Sequence, residues 1–524
     1  MTSELQYREI SCQKSVDGAN FQQGVQDFNF STGAPTGWIP SRSYFRIEMT
    51  LDGAGAPNAA GLGKQPTVRQ QLAFADSACG NLYDNVYFKG AGQDISSAVN
   101  YVGQSAALKN RLQRTGAWLQ SVGKSAYMLE SDFQKRVNQV SLDTYLDPDG
   151  ECERLFVGDA AHQLTGTVAI TAATGAIVGL NTELKQLDIG DTLVLKGVPY
   201  TCTVKPTAAD GTDGRVLPKP SADIGADANA YIIKNKRRDG GQRNKVFVLW
   251  QPPIGIFDHD GVLGAGDWRI SLNPSSNYKQ SAVETRQGTD TVAATQAQTA
   301  DAGYNLTINS VKFYCATVKA SIPQGISTLY LMESMVQSKP ISGRDQQFEF
   351  TVPSSTRALT IFLQSNKAGS NPRFPPSMFK LPVDATALVE SDLLMESLQI
   401  TYANTTKPST RWSSSYSEVK DGDAGNASVN ELQQRYNDSL QESGLLMSSG
   451  GSETFKDYLA RGPYYHYSFT RDSEDKSTQV QISAKVGFDP AAVPANLFIV
   501  AWYSRGIEIS TTNGQIQEVR GLSV

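Results

Sequence analysis

Residues 44–51 read Tyr-Phe-Arg-Ile-Glu-Met-Thr-Leu, and this stretch indicates the fold class. Every second side chain from Phe45 to Leu51 is apolar, and the residues between them are polar or charged. Because side chains of a strand point alternately to opposite faces, this pattern predicts a β-strand with one face in a core and one in water. The pattern is typical of an antiparallel sheet that covers a core with one face.

The same alternation recurs in both halves of the chain. It is found in residues 268–272, 306–315, 348–352, 398–402 and 480–488, and the more continuously apolar residues 245–250 and 358–363 indicate two further strands. At Asn309 and Ser310 the alternation slips by one residue, which predicts a β-bulge. Residues 497–503 are apolar throughout, which predicts a strand buried on both faces. The fold class is therefore mainly β, with β-sandwiches in both halves.

Length and composition agree with this interpretation. A chain of 524 residues is too long for one hydrophobic core, so two or three domains are expected. The 45 glycines and 23 prolines follow no period, as in a protein with many turns. The 21 tyrosines and 20 phenylalanines favour strands.

Two helical excursions interrupt the strands. Between Ser97 and Gln139 the pattern becomes helical, with one apolar face made by Tyr101, Leu108, Leu112 and Leu119. Gly116 and Gly123 break this stretch, so two short helices are expected. In the second half, Ser428 and Glu431 form a capping box that predicts the start of a helix. Its apolar face is predicted to consist of Val429, Leu432, Tyr436 and Leu440.

Residues 155–240 form a segment of a different kind. Short strands are separated by Gly and Asp turns, which predicts a small closed β-barrel inserted into the first half. The passage is similar to small barrel repeats of phage tail and fibre proteins, with Val178, Gly179, Thr182, Gly190 and Asp191 at the matching places. We expect this insert to lie at the surface.

Charge and cysteine content exclude several classes of protein. The net charge is −5, and the only basic run comprises Lys234, Lys236, Arg237 and Arg238, so contact with nucleic acid is not expected. Five scattered cysteines without a Cys-x-x-Cys pair predict free thiols. No signal peptide is recognised, and the longest apolar run, 497–503, is far shorter than the ~20 residues that span a bilayer. Synthesis in the host cytoplasm without secretion is expected.

A search for catalytic chemistry gives no candidate. The three histidines, His162, His259 and His466, stand apart from one another, and Asp258-His259-Asp260 is typical of a solvated loop beside Gly261. We predict no catalytic, cofactor-binding or metal-binding residues and no cofactor. Carboxylate pairs from distant strands stay open, since the sequence singles out none of them.

A resemblance to a known family rests on a series of motifs. The second half contains Phe348-Glu-Phe-Thr-Val-Pro353, Arg357-Ala-Leu-Thr-Ile-Phe362, Gly369-Ser-Asn-Pro-Arg-Phe374 and Leu398-Gln-Ile-Thr-Tyr402 with Pro408. This order resembles the second jelly roll of major capsid proteins from polinton-like viruses, virophages and their relatives. Residues 250–272 resemble the close of the first jelly roll, and 497–509 resemble the final strand.

The resemblance implies a double jelly roll. Its expected divisions are a first jelly roll in 1–154 and 241–320, the inserted barrel in 155–240 and a second jelly roll in 321–524. It also implies a homotrimer whose six jelly rolls form a pseudo-hexameric capsomer of an icosahedral virion shell. The implied partners are neighbouring capsomers and penton and minor capsid proteins, and the question of an internal membrane stays open.

The sequence also fits two alternatives. The insert would also fit a trimeric phage-type fibre or receptor-binding protein. The open question of carboxylate pairs leaves room for a carbohydrate-active enzyme on a β-sandwich.

Overall fold

A computed structural model of the chain describes residues 5–53, 72–119, 161–233, 245–285, 304–319, 324–412, 427–445, 451–469 and 477–522, together with Gly123. Shorter gaps inside these ranges are 15, 17, 19, 96–98, 165, 181–183, 185–186, 188–191, 205, 207–213, 373, 380, 382–394 and 492. Residues 54–71, residues 234–244 with the basic run, and most of the helical stretch beyond residue 119 fall outside the described residues.

The first sandwich consists of two antiparallel sheets that face each other across an apolar core. In chain-order numbering, one sheet contains β1 (Leu5–Ser11), β20 (Tyr304–Lys319), β4 (Tyr44–Gly53) and β17 (Lys245–Trp250), with β3 (Thr36–Trp38) beside β20. The other contains β2 (Gln26–Ser31), β18 (Asp267–Pro274), β6 (Tyr83–Gly90) and β7 (Gln93–Asp94), with β8 (Val99–Asn100) beside β6. A separate pair consists of β5 (Leu72–Phe74) and β19 (Val283–Thr285). Phe45 and Phe28 meet edge to face between the sheets, with ring centroids 5.0 Å apart.

The second sandwich repeats this architecture with longer strands. Its first sheet contains β21 (Gly325–Pro340), β28 (Ala495–Thr512), β23 (Thr356–Ser365) and β26 (Tyr464–Ser468), with β29 (Gln515–Leu522) beside β28. Its second sheet contains β22 (Asp345–Thr351), β27 (Gln479–Val486), β24 (Met395–Tyr402) and β25 (Thr405–Lys407). The side chains between these sheets form a second apolar core that includes Ile361, Ile400 and Ile482.

The insert forms one eight-stranded antiparallel sheet. Along the sheet the order is β15 (Ile224–Asp227), β10 (Thr167–Thr171), β11 (Ala176–Leu180), β14 (Arg215–Leu217), β13 (Val198–Val204), β12 (Thr192–Leu195), β16 (Tyr231–Ile233) and β9 (Ala161–Gln163). The sheet surrounds its own apolar cluster, which includes Val168, Leu193 and Ile232. Among the described pairings, β15 and β9 stay at the two edges, so hydrogen bonds that would close the predicted barrel are not seen there.

The described helices are α1 (Val102–Gln113), the single turn α2 (Gly116–Trp118), α3 (Tyr278–Ser281), α4 (Ala427–Glu442) and α5 (Phe455–Arg461), and short 3-10 turns occupy Pro40–Arg42, Gly80–Leu82 and Gly255–Asp258. The break after α1 lies at Arg114, whose backbone is extended, and Thr115 then caps α2 by accepting a hydrogen bond from the Trp118 N–H. No helix among the described residues is long and apolar enough to cross a membrane.

Several predictions can be compared with these elements. The bulge is confirmed, because the β20–β4 register shifts between Ile308 and Ser310. The buried strand at 497–503 is confirmed, since all seven side chains are buried. The placement of Tyr101 on the apolar helix face is wrong: Tyr101 precedes α1 in a left-handed conformation and is 41% exposed. Helix α4 begins at Ala427, one residue before the predicted cap, and buries Leu432, Tyr436 and Leu440.

The two sandwiches share side chains across their boundary. The paired strands β21 and β28 extend beyond the second sandwich, and Leu331, Ile507, Ile509 and Val519 join the core cluster of the first one. A third apolar cluster joins Leu108 and Leu112 of α1 to Tyr436 and Leu440 of α4. Because both contacts are buried, the two sandwiches pack together as side-by-side units.

Candidate functional site

Helix α1 lies at the junction of the two sandwiches. It lies between β8 and β17 of the first sandwich in sequence, but Ala107, Leu108 and Leu112 pack with Phe362, Phe498 and Trp502 of the second. The same helix carries Lys109 and Arg111, both at least nine-tenths buried. The junction is therefore a site where charged side chains leave water in the folded chain.

Arg111 belongs to a buried chain of four charges. Its Nε lies 3.0 Å from Glu453 Oε2, and the other Glu453 oxygen lies 3.5 Å from an Arg461 guanidinium nitrogen. Arg461 Nε in turn lies 2.9 Å from Asp76 Oδ2. Two of these groups come from the first half of the chain and two from the second. Because each charge has an opposite neighbour, the cluster links the halves without leaving an isolated buried ion.

Further contacts fix the two arginines. Arg111 Nη2 donates to the Gly462 carbonyl at 2.8 Å, and its guanidinium lies 4.5 Å from the centre of the Tyr464 ring. Gly462 has a φ of +96°, and a Cβ there would collide with the Phe379 carbonyl, so this close approach requires glycine. Burial acts to lower the pKa of Arg461, but Asp76 and Glu453 raise it above its ordinary value.

A second buried carboxylate lies on the other side of α1. Glu333 of β21 is 1% exposed, and its Oε1 accepts a hydrogen bond from the Gly255 N–H at 3.3 Å. Its Oε2 is buried and accepts no hydrogen bond from the described residues. Nearby Lys109 pairs with Asp258 at 2.7 Å, not with Glu333. Burial raises the pKa of Glu333 to about 7, while Lys109, Arg505 and the Gly255 N–H act to lower it.

Strand β21 also presents an apolar face to solvent. On one face of the strand, Ile326, Tyr330 and Met332 are 70%, 67% and 42% exposed. The strand is 16 residues long and lies at the edge of its sheet, with β28 as its pairing partner among the described strands. A long apolar edge strand favours contact with another chain, because it offers both unpaired backbone groups and apolar surface.

The three histidines lie in different parts of the structure. His162 lies in β9 opposite Ile232, and His259 follows the 3-10 turn Gly255–Asp258. His466 lies in β26, where its Nδ1 is 2.8 Å from Thr360 Oγ1. Burial lowers the pKa of His466 to about 4, so the ring is neutral at ordinary pH.

The Asp258-His259-Asp260 stretch has a structural role in the described chain. Asp258 pairs with Lys109 of α1 at 2.7 Å and lies 3.8 Å from Arg114. Within the described ranges, no three His, Cys, Asp or Glu residues form a group that could hold a metal ion. Cys12, Cys79, Cys202 and Cys315 are free thiols, as predicted for them.

The buried chain of four charges was not predicted from the sequence. A signal was nevertheless present, because Arg111 falls three residues after Leu108 and next to Leu112, on the apolar face of the predicted helix. An arginine on such a face requires a buried partner. The partner, Glu453, is 342 residues away in sequence, and local pattern does not reach that far.

Neither protein-family models nor curated protein sequences match the chain. A chain from the cryo-EM structure of the Sputnik virophage is similar in structure, with a TM-score of 0.51, 12% identity and coverage of 99% of this chain and 88% of that one. The chain has the double jelly-roll fold. The Faustovirus major capsid protein has a TM-score of 0.46 and 9% identity. That alignment covers 96% of this double jelly roll and 90% of the Faustovirus protein. The mavirus major capsid protein has a TM-score of 0.42 and 10% identity, and the alignment covers 98% of this chain and 90% of that one.

Proposed function

We propose that this double jelly-roll protein is a viral major capsid protein that resides in the virion shell. The observation that carries the proposal is the pair of antiparallel sandwiches packed side by side in one chain, an architecture that it has in common with the Sputnik virophage chain. Synthesis in the host cytoplasm is part of the proposal. Neither the fold nor the buried charge chain requires an enzymatic role.

The proposed unit of assembly is a homotrimer. Three copies with two sandwiches each would place six jelly rolls around a pseudo-sixfold axis, which suits a hexagonal tile of an icosahedral shell. The exposed face of β21 supports this, because its apolar side chains would be removed from water by a second copy. Neighbouring capsomers and penton and minor capsid proteins would complete the shell.

The proposed domain division is 1–154 with 241–320, 155–240, and 321–524. Each of the two sandwiches and the insert has an apolar cluster made mainly of its own residues, which supports this division. Val194 and Tyr231 of the insert join the first sandwich's cluster, which favours an insert that rests on the first jelly roll.

The trimer is tested with a double variant, Ile326→Lys with Tyr330→Lys. Light scattering after size exclusion is expected to give trimers for the unaltered protein and monomers for the variant, because two lysines would have to be desolvated in the contact. Leu180→Lys is the matched control: Leu180 is 67% exposed on the insert, and this change should leave trimers intact.

Negative-stain images of the unaltered protein test the capsid role. Squat pseudo-hexagonal particles or shells are expected. Elongated rods would overturn the proposal in favour of a fibre or receptor-binding protein. Glycan hydrolysis that a single Asp or Glu substitution abolishes would overturn it in favour of the carbohydrate-active enzyme.

A further inference from the structure

A cleft of about 590 Å³ opens between the two sandwiches at the N-terminal end of α1. The first sandwich contributes β6 and β8 to its walls, and the second contributes β21, β23 and β28. Pockets of this size at the contact of two units are common ligand sites. The lining is unusual in composition, because six asparagines contribute to it: Asn81, Asn85, Asn100, Asn277, Asn366 and Asn496.

Five of these amides are without a side-chain hydrogen-bond partner among the described residues. Within the described part of the chain, no side-chain hydrogen bond is formed by Asn85, Asn100, Asn277, Asn366 or Asn496. Each primary amide offers two N–H donors and a carbonyl acceptor. Five such groups around one cleft can donate to and accept from the hydroxyls of a single ligand.

The N-terminus of α1 adds backbone donors to the same cleft. Val102, Gly103 and Gln104 line it, and the preceding residue, Tyr101, provides no side-chain cap. The first N–H groups of a helix have no carbonyl partner within the helix, so these donors can bind a ligand.

Tyr101 provides an aromatic face at the cleft. Its backbone is held at φ 54°, ψ 51°, a left-handed conformation that is costly for tyrosine, and its ring packs edge to face on Phe498 at 5.6 Å. The side chain stays 41% exposed. An exposed ring beside hydrogen-bonding groups suits a ligand with both C–H faces and hydroxyls, since its π-face attracts polarised C–H groups.

The charge of the lining limits the ligand further. Among the described lining residues, Asp84 is the one with a charged side chain at neutral pH, and there is no lysine, arginine or histidine. A phosphate or carboxylate ligand would meet a like charge and no cation. A purely apolar ligand would leave the amides without partners.

We propose that this cleft binds a neutral oligosaccharide. The amides and the helix N-terminus would hold its hydroxyls, and Tyr101 would stack on one sugar ring. This activity goes beyond assembly, and its test does not depend on the oligomeric state.

The test is saturation-transfer difference NMR on the purified full chain. The probes are neutral di- and trisaccharides of glucose, galactose, mannose and N-acetylglucosamine, with sialyllactose and inorganic phosphate as charged probes. Saturable binding of at least one neutral saccharide is expected. Tyr101→Gly, which suits the left-handed backbone, and the double variant Asn277→Ala with Asn366→Ala should each weaken binding about tenfold.

Lys367→Ala is the matched control, because Lys367 is exposed beside Asn366 in sequence but does not line the cleft. It should bind as the unaltered protein does. Failure of every neutral probe to bind would overturn the proposal. Preferential binding of phosphate or sialyllactose would overturn it as well, and so would undiminished binding by both cleft variants.

Discussion

Glu453 and Glu333 are both almost fully buried at the junction of the two sandwiches, yet their surroundings differ. Glu453 lies between two arginines, at 3.0 Å from Arg111 and 3.5 Å from Arg461. Glu333 accepts one backbone hydrogen bond, and its second oxygen accepts none from the described residues. The nearest cation on α1, Lys109, is paired with Asp258.

The two carboxylates therefore contribute to the contact between the sandwiches in different ways. A paired carboxylate keeps its charge and holds two elements in register, although the pair as a whole gains little over an apolar contact. An unpaired carboxylate avoids the cost of a buried charge by keeping its proton. One side of α1 is therefore a fixed electrostatic link, and the other side is sensitive to pH.

The largest effect is expected for Glu453→Ala. The change leaves Arg111 without its carboxylate partner and Arg461 with Asp76 alone, and an uncompensated buried charge costs about 3–5 kcal/mol of stability. Urea unfolding followed by tryptophan fluorescence, at fixed protein concentration, measures the loss.

Glu518→Ala is the control for this measurement. Glu518 is half exposed and pairs with Arg520 at 2.7 Å, so its removal should cost at most about 1 kcal/mol. Equal losses for the two variants would contradict the view that the buried chain holds the junction.

Elements that depend on local sequence pattern could be predicted from the sequence. The strand at 44–51 and the apolar strand at 497–503 were predictable, because alternation and continuous apolarity follow directly from side-chain geometry. The burial of Leu432, Tyr436 and Leu440 was predictable for the same reason at helical spacing.

Pairing between distant residues was not predictable in this way. The contact of Arg111 with Glu453 depends on how α1 packs between the sandwiches, and no periodicity encodes it. The predicted placement of Tyr101 on the helix face was wrong for a related reason. Tyr101 fits the helical spacing, but its left-handed backbone conformation places it before the helix, at the cleft. The free amides of the cleft come from separate strands and loops, so composition alone does not bring them together.

The pH is expected to have an effect of intermediate size on the free energy of unfolding, because Glu333 titrates. Its pKa is raised from 4.5 to about 7 in the folded protein, so the folded state holds the proton more tightly than the unfolded chain does. Its contribution to stability is complete below the unfolded value and is lost as the pH rises through about 7. Between about pH 6 and pH 8 the loss is about 1 kcal/mol, measured by urea unfolding at each pH.

Glu333→Gln separates this effect from other titrations. The amide has the shape of the protonated acid and does not titrate, so the variant should lose this part of the pH dependence. Lys109, Arg505 and Asp258, the charged groups that act on Glu333, stay unchanged in it. A pH dependence identical to that of the unaltered protein would contradict the assignment.

The smallest effect is expected for Lys407→Ala, which removes a partly exposed pair. Lys407 Nζ lies 2.9 and 3.1 Å from the two oxygens of Glu442, and both side chains keep more than a fifth of their surface in water. Burial acts to raise the pKa of Glu442, but hydrogen bonds from Ser468 and Lys407 lower it.

Because Ser468 donates to Glu442 through its N–H at 3.0 Å and through its hydroxyl, the carboxylate stays satisfied without the lysine. Solvent also screens the pair, so the loss should be about 0.5–1 kcal/mol in the same urea measurement. A loss as large as that of Glu453→Ala would mean that ion pairing stabilises the chain regardless of burial. The small loss expected here would instead make desolvation the property that distinguishes the junction from the surface.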